Sequence, residues 1–243
     1  MANGAKRVLV TGGSGDMGGA ICAALARGGW RVVVHANTGG GRAEAVAAAI
    51  RDAGGEAEVA VFDVTDADAT HAAIDDLSQA GPIHALVHNA GIHDDAPLAG
   101  MNADQWRRVI DVSLHGFFHV TQPLLLPMAR ARFGRIVAIS SVAATMGNRG
   151  QVNYAAAKSA LHGAAKSLAR EMASRNVTVN VVAPGIIEGR MTQALFTEEQ
   201  IKAMIPAARA GTPAEVADVV AFLCSDAASY VNGQVVGVNG GMA

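Results

Sequence analysis

The sequence predicts an α/β fold in which one doubly wound, seven-stranded parallel sheet carries helices on both faces. Short β-branched runs alternate with longer Ala-rich segments along the whole chain. The runs carry apolar residues on both faces, which is typical of strands buried on both faces of a parallel sheet. The first run leads directly into a glycine-rich turn. Strands that alternate with helices in this way form a parallel sheet through right-handed crossovers.

Seven runs are predicted to be strands and six segments to be helices. The predicted strands lie at 7–11, 31–36, 58–63, 84–89, 135–140, 177–183 and 234–239. The predicted helices lie near 17–28, 42–53, 66–79, 103–131, 152–174 and 213–224. The segment 184–212 breaks the alternation, because it opens with Pro-Gly and then carries a short amphipathic helix. We interpret it as a mobile substrate lid over the carboxyl ends of the strands; an ordinary capping insertion is the alternative.

Composition limits the classes of function. The chain has 243 residues, 51% of them hydrophobic, and no Pro/Ser-rich or charged linker divides it, so a single domain over 1–243 is expected. A net charge of −2 gives no basic footprint for nucleic acid. Cys22 and Cys224 lie in Ala-rich stretches without metal-ligand spacing, so free buried thiols and no metal site are expected. Without a signal peptide or a run of 18 apolar residues, the expected location is the cytoplasm, away from membranes.

A nucleotide-binding turn is predicted immediately after the first strand. The segment GSGDMG (13–18) satisfies the pattern G-x-G-x-x-G between a strand and a helix. Glycines let the backbone approach a pyrophosphate, and the helix N-terminus offers free N–H groups and a partial positive charge. This turn predicts a Rossmann-like dinucleotide site at the carboxyl ends of the strands.

A possible reaction centre lies in the segment Ser141–Lys158. Tyr154 and Lys158 are four residues apart in a predicted helix, which places both side chains on one helical face. A neighbouring ammonium favours the phenolate, so Tyr154 could give a proton to a carbonyl oxygen at neutral pH. Ser141 follows the apolar run RIVAIS and could hydrogen-bond the same oxygen. The spacing of Tyr and Lys alone also occurs by chance on amphipathic helices.

Together these motifs resemble the short-chain dehydrogenase/reductase family. Its TGxxxGxG turn resembles Thr11–Gly18, its D-V pair resembles Asp63-Val64, and its NNAG resembles residues 88–91. The likeness continues to PG at 184–185 and VNGG at 238–241. It implies that Tyr154 is the proton donor, that Ser141 holds the reacting oxygen, and that Lys158 lowers the Tyr154 pKa and bonds the nicotinamide ribose.

The resemblance also implies a set of cofactor-binding residues. Asp63 would bond the adenine amino group, and the segment 89–91 would line the adenine ribose and steady the sheet. The complete set is Gly12, Ser14, Gly15, Asp16, Met17, Gly18, Asn37, Arg42, Asp63, Val64, Asn89, Ala90, Gly91, Tyr154, Lys158, Pro184, Gly185 and Ile187.

Three positions depart from the family pattern. Asp16 replaces the middle glycine of the turn, and a carboxylate ~4 Å from a phosphate would cost about 1–4 kcal/mol; alternatively it points to solvent or bonds the first turn of the helix. Ser113 stands where the family has an Asn that kinks its helix, so that a main-chain carbonyl binds a relay water. Ser113 is a partial substitute if it bends the helix by bonding back to a carbonyl. Gly189 and Arg190 stand where the family often has a Thr for the nicotinamide amide.

The end of the second strand favours NADP(H) over NAD(H). A carboxylate there would hold a ribose 2′-hydroxyl and select NAD, but the residues are His35, Ala36, Asn37 and Thr38. Arg42 follows within reach of a 2′-phosphate, which a guanidinium can bond with two N–H groups. A solvated helix residue is the alternative for Arg42.

Within the family the resemblance is greatest to bacterial 3-oxoacyl-[acyl-carrier-protein] reductases, through residues 145–158, 167–188 and 221–242. It implies reduction of a 3-oxoacyl thioester on acyl-carrier protein or CoA, carrier docking at Arg132 and Arg175, and a homotetramer. Both arginines could equally complement helix dipoles. His93 and Asp94 replace a usual Thr-Arg pair, which suggests a specialised paralogue.

Two other readings stay open. One is an NAD(P)-dependent reductase or dehydrogenase of another ketone or secondary alcohol, a choice that the lid sequence would make. The other is a catalytically degenerate member that acts as a subunit or a nucleotide-sensing module. Asp16 and Ser113 favour this second reading, and the intact Ser141, Tyr154 and Lys158 argue against it.

Overall fold

The computed structural model describes residues 5–189 and 197–243. Its sheet has seven strands in the order β3-β2-β1-β4-β5-β6-β7, and every pairing is parallel. The strands are β1 Arg7–Thr11, β2 Arg31–Ala36, β3 Ala57–Val61, β4 Ile83–His88, β5 Gly134–Ile139, β6 Val177–Pro184 and β7 Val235–Val238. The predicted doubly wound sheet is confirmed, and the predicted strand limits differ from these by at most two residues.

The described α-helices follow the predicted alternation. They are α1 Asp16–Arg27, α2 Gly41–Asp52, α3 Ala67–Gln79, α4 Ala103–Ile110, α5 Gly116–Ala131, α6 Ala143–Met146, α7 Val152–Met172, α8 Glu198–Met204 and α9 Pro213–Cys224. Short 3₁₀ turns lie at Leu98–Gly100, Ala173–Arg175 and Asp226–Ala228. None of the helices in the described ranges is long and apolar enough to cross a membrane.

Two apolar layers cover the sheet. On one face, α1, α2 and α9 bury side chains such as Ile21, Ile50 and Val220 against the sheet. On the other face, α3, α5 and α7 bury side chains such as Leu124 and Leu161. Cys22 and Cys224 are free and buried, as expected, and burial raises the pKa of each thiol to about 12. The two layers explain why the strands are apolar on both sides.

The predicted helix over 103–131 is present, but it is not one uninterrupted α-helix. A π-helical segment, Asp111–His115, separates α4 from α5, and the Gly116 N–H bonds the Asp111 carbonyl. Gly116 also packs tightly, because an added Cβ would lie 2.9 Å from Val64 Cγ2. Such π-bulges insert one extra residue and often lie at functional sites.

The sheet order brings the motifs to one edge. The chain winds outward from β1 to β3 on one side and from β4 to β7 on the other, so it changes direction between β1 and β4. In parallel sheets of this kind, ligands bind outside the carboxyl ends of the strands at that switch point. The glycine-rich turn follows β1, and residues 89–91, Ser141 and Gly185 follow β4, β5 and β6.

The proposed lid lies partly outside the described residues, because 190–196 are not described. The described part contains α8, which begins at a capping box formed by Thr197 and Gln200. Ile187 forms a parallel bridge with Gly211, so the two ends of the segment lie together. The short helix is therefore confirmed, whereas motion as a lid stays a prediction.

Candidate active site

The glycine-rich turn between β1 and α1 is closely packed around its own backbone. Gly12 has a φ of +63°, and the Gly15 N–H bonds the Gly12 carbonyl at 3.2 Å. A Cβ added to Gly18 would lie 2.1 Å from the Gly12 oxygen, which no side chain could tolerate. The turn therefore requires glycine at 12 and 18 for its conformation and its close approach.

The N-terminus of α1 is suited to an anion. Gly15 is its N-cap and supplies no side-chain hydrogen bond to the first turn. Helix N–H groups without a side-chain cap point outward and favour negative charge. The predicted turn residues Ser14 and Met17 are both half-buried beside these groups. The turn thus fits the pyrophosphate of a dinucleotide.

Asp16 is the first residue of α1 and is exposed. Its Oδ2 lies 3.6 Å from the position that a Cβ on Gly189 would occupy. The carboxylate is thus directed toward the segment that follows β6. Asp16 and Gly189, two of the three departures from the family pattern, are therefore neighbours in the fold.

The predicted residues after β2 and β3 lie at the open edge of the site. Asn37 and Arg42 are exposed, and within the described residues no hydrogen bond or ion pair engages the Arg42 guanidinium. Asp63 is also exposed, and its Oδ1 accepts 2.8 Å bonds from the N–H and hydroxyl of Thr65. Val64 is buried against Gly116. The two bonds from Thr65 orient the Asp63 carboxylate just after β3.

The segment after β4 is joined to the glycine-rich turn. The Asn89 amide donates to the carbonyls of Thr11 and Gly12, each at 3.1 Å. The backbone N–H groups of Asn89 and Ala90 both donate to Thr11 Oγ1 at 3.0 Å. Gly91 leaves room for Lys158, because an added Cβ would lie 2.8 Å from Lys158 Nζ. The described contacts of Asn89 thus support the turn rather than face an open ribose site.

Pro184, Gly185 and Ile187 lie where β6 ends. The Val142 N–H bonds the Pro184 carbonyl at 2.7 Å, and the Gly185 N–H bonds the Val238 carbonyl at 2.9 Å. A Cβ on Gly185 would lie 2.8 Å from Asn239, so the chain passes the end of β7 too closely for a side chain. These bonds place the predicted cofactor segment beside Ser141.

Ser141, Tyr154 and Lys158 come together at this edge. The Ser141 side chain lies close enough to the Tyr154 phenol to lower its pKa, and Lys158 Nζ lies 5.8 Å from the centroid of the Tyr154 ring. Lys158 is 3% exposed and donates to the Ile139 carbonyl at 2.9 Å. The hydroxyl, phenol and ammonium therefore line one wall, beside the end of β5.

Burial dominates the electrostatics of the two ionisable groups. It raises the pKa of the Tyr154 phenol, against the opposing effect of the Ser141 hydroxyl, and it lowers the Lys158 pKa to about 8. Burial therefore sets the direction of the Tyr154 shift, and the expected effect of Lys158 on the Tyr154 pKa stays a prediction. Tyr154 is a protonated donor at neutral pH, and Lys158 releases a proton more readily than an exposed lysine.

Asn153, which the sequence reasoning missed, positions Tyr154. Its buried side chain donates to the carbonyls of Asp94 and Gln105, at 3.0 and 3.1 Å, and accepts from the Tyr154 N–H at 2.8 Å. Its location directly before Tyr154 at the start of a helix was the available signal.

Asp94 bonds Gln105 and Arg108, which lower its carboxyl pKa. Asp94 thus has a structural role between its loop and α4.

Two buried histidines, also missed, flank the end of β1. His35 Nδ1 accepts from the Gly12 N–H at 3.0 Å, and its Nε2 donates to the Phe62 carbonyl at 2.8 Å. His88 lies 3.2 Å from Thr11 Oγ1 through Nδ1 and 3.1 Å from the Ser113 carbonyl through Nε2. Burial lowers the pKa of His35 to about 4 and that of His88 to about 3. Both rings are therefore neutral at physiological pH.

Ser113 lies within the π-helical segment and is completely buried. Its Oγ has no hydrogen-bond partner among the described residues, so the expected bond back to a helix carbonyl is absent there and that mechanism of bending is wrong. The helix is instead distorted by the π-bulge itself. Ser113 Oγ lies 3.5 Å from a Cβ position on Gly91, beside Lys158.

Arg132 and Arg175 lie near each other, but far from Tyr154. Arg132 ends α5 and donates to the Ser174 carbonyl at 3.2 Å, next to Arg175. Both arginines are exposed and precede β5 and β6, whereas Ser141 follows β5. Tyr154 lies in the first turn of α7 and Arg175 just beyond its end, and 21 helical residues span about 30 Å. The two arginines therefore form one cationic patch at the opposite edge of the sheet.

The chain is similar to known proteins over nearly its whole length. A family described as "Enoyl-(Acyl carrier protein) reductase" matches residues 14–243. The 3-oxoacyl-[acyl-carrier-protein] reductase FabG of Aggregatibacter actinomycetemcomitans is 43% identical over 98% of this chain and 99% of its own. FabG of Escherichia coli K12 is 43% identical over 98% and 97% of the two chains. FabG of Staphylococcus aureus Mu50 is 44% identical over 98% of each.

A solved structure has the same architecture. A crystal structure from Agrobacterium tumefaciens, provisionally named a gluconate dehydrogenase, superposes with a TM-score of 0.95 at 32% identity. It covers 98% of this chain and 96% of its own. The protein is thus an oxidoreductase with a Rossmann-like fold. The chain belongs to the short-chain dehydrogenase/reductase family.

The two neutral histidines predict a loss of stability in acid. An unfolded histidine titrates near ~6.5, so below that pH the unfolded state binds more protons than the folded state. The stability contribution is complete above pH ~6.5 and falls toward the folded pKa values of about 4 and 3. Each ring then removes up to about 1.4 kcal/mol per pH unit.

Urea unfolding at pH 7.5, 6.5 and 5.5 measures this effect. His35→Gln and His88→Gln should each flatten the decrease between pH 6.5 and 5.5, and the exposed histidine variant His115→Gln serves as the control. Equal slopes in all four proteins would contradict the assignment.

Proposed function

We propose that the protein is an NADPH-dependent reductase that reduces the keto group of a 3-oxoacyl thioester to the 3-hydroxyacyl thioester. The observation that carries the proposal is the arrangement of Ser141, Tyr154 and Lys158 at the same sheet edge as the glycine-rich turn. The names of the FabG relatives supply the substrate class. The thioester carrier is an acyl-carrier protein or CoA.

The residues of the chain have separate tasks in this reaction. The hydride comes from the reduced nicotinamide when it is bound. Ser141 donates a hydrogen bond to the keto oxygen and orients it toward Tyr154. Tyr154 then gives its proton to that oxygen as negative charge develops there. Lys158, with its pKa lowered to about 8, is suited to passing a proton inward to the phenolate. The Asn153 bonds keep the start of α7 in place while this occurs.

The preference for NADPH is supported by the residues after β2. No carboxylate side chain lies between His35 and Arg42, so nothing there would repel a 2′-phosphate. Arg42 is exposed in the first turn of α2 and free to form a bidentate contact. A ribose 2′-hydroxyl would gain much less from this guanidinium.

We also propose a homotetramer and a cytoplasmic location, both from the resemblance to bacterial 3-oxoacyl-[acyl-carrier-protein] reductases. A carrier that docks on Arg132 and Arg175 would be about 30 Å from Tyr154 of the same chain. In a tetramer, the site of a neighbouring subunit could receive the acyl chain. Cross-linking or analytical ultracentrifugation measures the number of subunits.

Substrate reduction tests the proposed function directly. Purified protein with NADPH should reduce an acetoacetyl thioester, and Tyr154→Phe should lower kcat by about 100-fold or more with binding of NADPH unchanged, because only the proton donor is lost. Loss of NADPH absorbance measures the rate, and Tyr230→Phe, which changes a fully exposed tyrosine, is the control. A crotonyl thioester distinguishes keto reduction from enoyl reduction, and turnover of that substrate alone would overturn the proposal.

Cofactor choice is tested by titration with NADPH and NADH. Arg42→Ala should weaken NADPH binding about 10-fold or more and NADH binding less than about twofold, because a charge-assisted bond to the 2′-phosphate is lost. Energy transfer from Trp30 and Trp106 to the nicotinamide measures both affinities. Arg51→Ala at the far end of α2 is the matched control. Equal losses for the two cofactors would show that Arg42 does not contact the 2′-phosphate.

Carrier docking is tested by comparing two forms of one substrate. Arg132→Glu and Arg175→Glu should each raise the KM for acetoacetyl-acyl-carrier protein about 10-fold, because an acidic carrier is repelled, and should leave the KM for acetoacetyl-CoA within about twofold. Arg27→Glu makes the same charge change at the end of α1 and is the control. An equal rise for both substrates would argue against docking there.

A further inference from the structure

The Thr11 hydroxyl fixes the tautomer of His88. Thr11 Oγ1 accepts the N–H groups of both Asn89 and Ala90, each at 3.0 Å. A hydroxyl has two lone pairs and one proton. The two N–H groups occupy both lone pairs, so the Thr11 hydroxyl can form a third hydrogen bond only as a donor. The third partner is His88 Nδ1 at 3.2 Å. His88 Nδ1 is therefore an acceptor, and the ring carries its proton on Nε2.

The Nε2–H group of His88 donates a hydrogen bond to the π-helical segment. His88 Nε2 donates to the Ser113 carbonyl at 3.1 Å, and both residues are fully buried. The ring thus connects the end of β4 with the point where α4 changes to α5. In an α-helix this carbonyl would accept a backbone N–H four residues along; at a π-bulge that pattern is interrupted. The imidazole therefore ties the bulge to the sheet.

The same bond determines where the Ser113 side chain lies. Ser113 Oγ is buried and has no hydrogen-bond partner among the described residues. A Cβ on Gly91 would lie 3.5 Å from this oxygen and 2.8 Å from Lys158 Nζ. The hydroxyl and the ammonium therefore border the same small space above Gly91. A buried hydroxyl without a hydrogen-bond partner is energetically costly, and it indicates that a ligand such as a water binds there.

We infer that His88 is a positioning residue for the return of protons to Lys158: through the Ser113 carbonyl it holds the Ser113 hydroxyl at the space above Gly91, where that hydroxyl binds the water that passes a proton to Lys158. The inference rests on the proposed function. For each turnover one proton enters from solvent: the water bound by Ser113 gains a proton from a hydronium ion or buffer acid as it gives one of its own to Lys158 Nζ, and Lys158 supplies the proton that restores the Tyr154 phenol, so that no hydroxide is left in the site.

Three variants at His88 and Ser113 test this arrangement. His88→Leu removes the donor, and kcat should fall about 10-fold or more with NADPH affinity within about twofold of the natural protein. His88→Gln keeps an N–H donor at about the same distance from the backbone as His88 Nε2, so kcat should stay within about threefold of that of the natural protein. Ser113→Ala should lower kcat at least as much as His88→Leu and should raise the solvent deuterium isotope effect, because proton return becomes slower.

The double variant distinguishes positioning from a general structural role. If His88 acts through Ser113, His88→Leu in the Ser113→Ala protein should cause less than about a twofold further loss of kcat. Multiplied losses would overturn the inference, as would an unchanged kcat and isotope effect in Ser113→Ala. Thermal unfolding of each variant identifies any that does not fold, and His88→Gln then carries the comparison.

A measurement without substrate separates this inference from the proposed function. Nitrogen-15 NMR of histidine-labelled protein should show His88 as the neutral Nε2–H tautomer from pH 5.5 to 8. A proton on Nδ1, or titration in this range, would overturn the inference even if the enzyme is active. If the natural protein binds NADPH but reduces no 3-oxoacyl thioester, the proposed function fails, and the NMR result alone decides the placement of His88.

Discussion

The organisation of the site depends on one buried hydroxyl, that of Thr11 at the end of β1. It accepts two backbone N–H groups from the segment after β4 and donates to His88. Because β1 and β4 flank the switch point of the sheet, this hydroxyl joins its two halves. The glycine-rich turn begins at the next residue, Gly12, whose N–H is held by His35 from β2. A change at Thr11 would therefore affect the nucleotide turn and the proton relay together.

The hydrogen bonds at this edge of the sheet are important because water is excluded from it. Lys158, His88 and Ser113 are all almost completely excluded from water. In such surroundings a charge is destabilised unless it is paired, so His88 is neutral and the Lys158 pKa is lowered to about 8. A neutral imidazole can donate and accept in fixed directions, whereas a protonated ring could only donate. The low polarity thus preserves the direction of the hydrogen bonds from Thr11 to Ser113.

Much of the fold followed from local patterns, but long-range contacts did not. Apolar runs located all seven strands, because burial on both faces leaves a plain signal. The bulge at Asp111–His115 was missed, since one extra residue barely changes the periodicity of a 29-residue segment. His88 read as an ordinary strand residue, because its partners lie 77 and 25 residues away. The direction of the Tyr154 pKa shift depends on burial, which spacing to Lys158 does not reveal.

Asp16 is one of the two features that favoured a non-catalytic chain, and its surroundings weaken that interpretation. The carboxylate is exposed, so water screens its charge. Two unit charges 4 Å apart in water interact by about 1 kcal/mol, which corresponds to about fivefold in affinity. Asp16 is also the first residue of α1, where a negative charge stabilises the helix by about 0.3–1 kcal/mol. A modest loss in nucleotide affinity is therefore compatible with an active reductase, because Ser141, Tyr154 and Lys158 retain their arrangement.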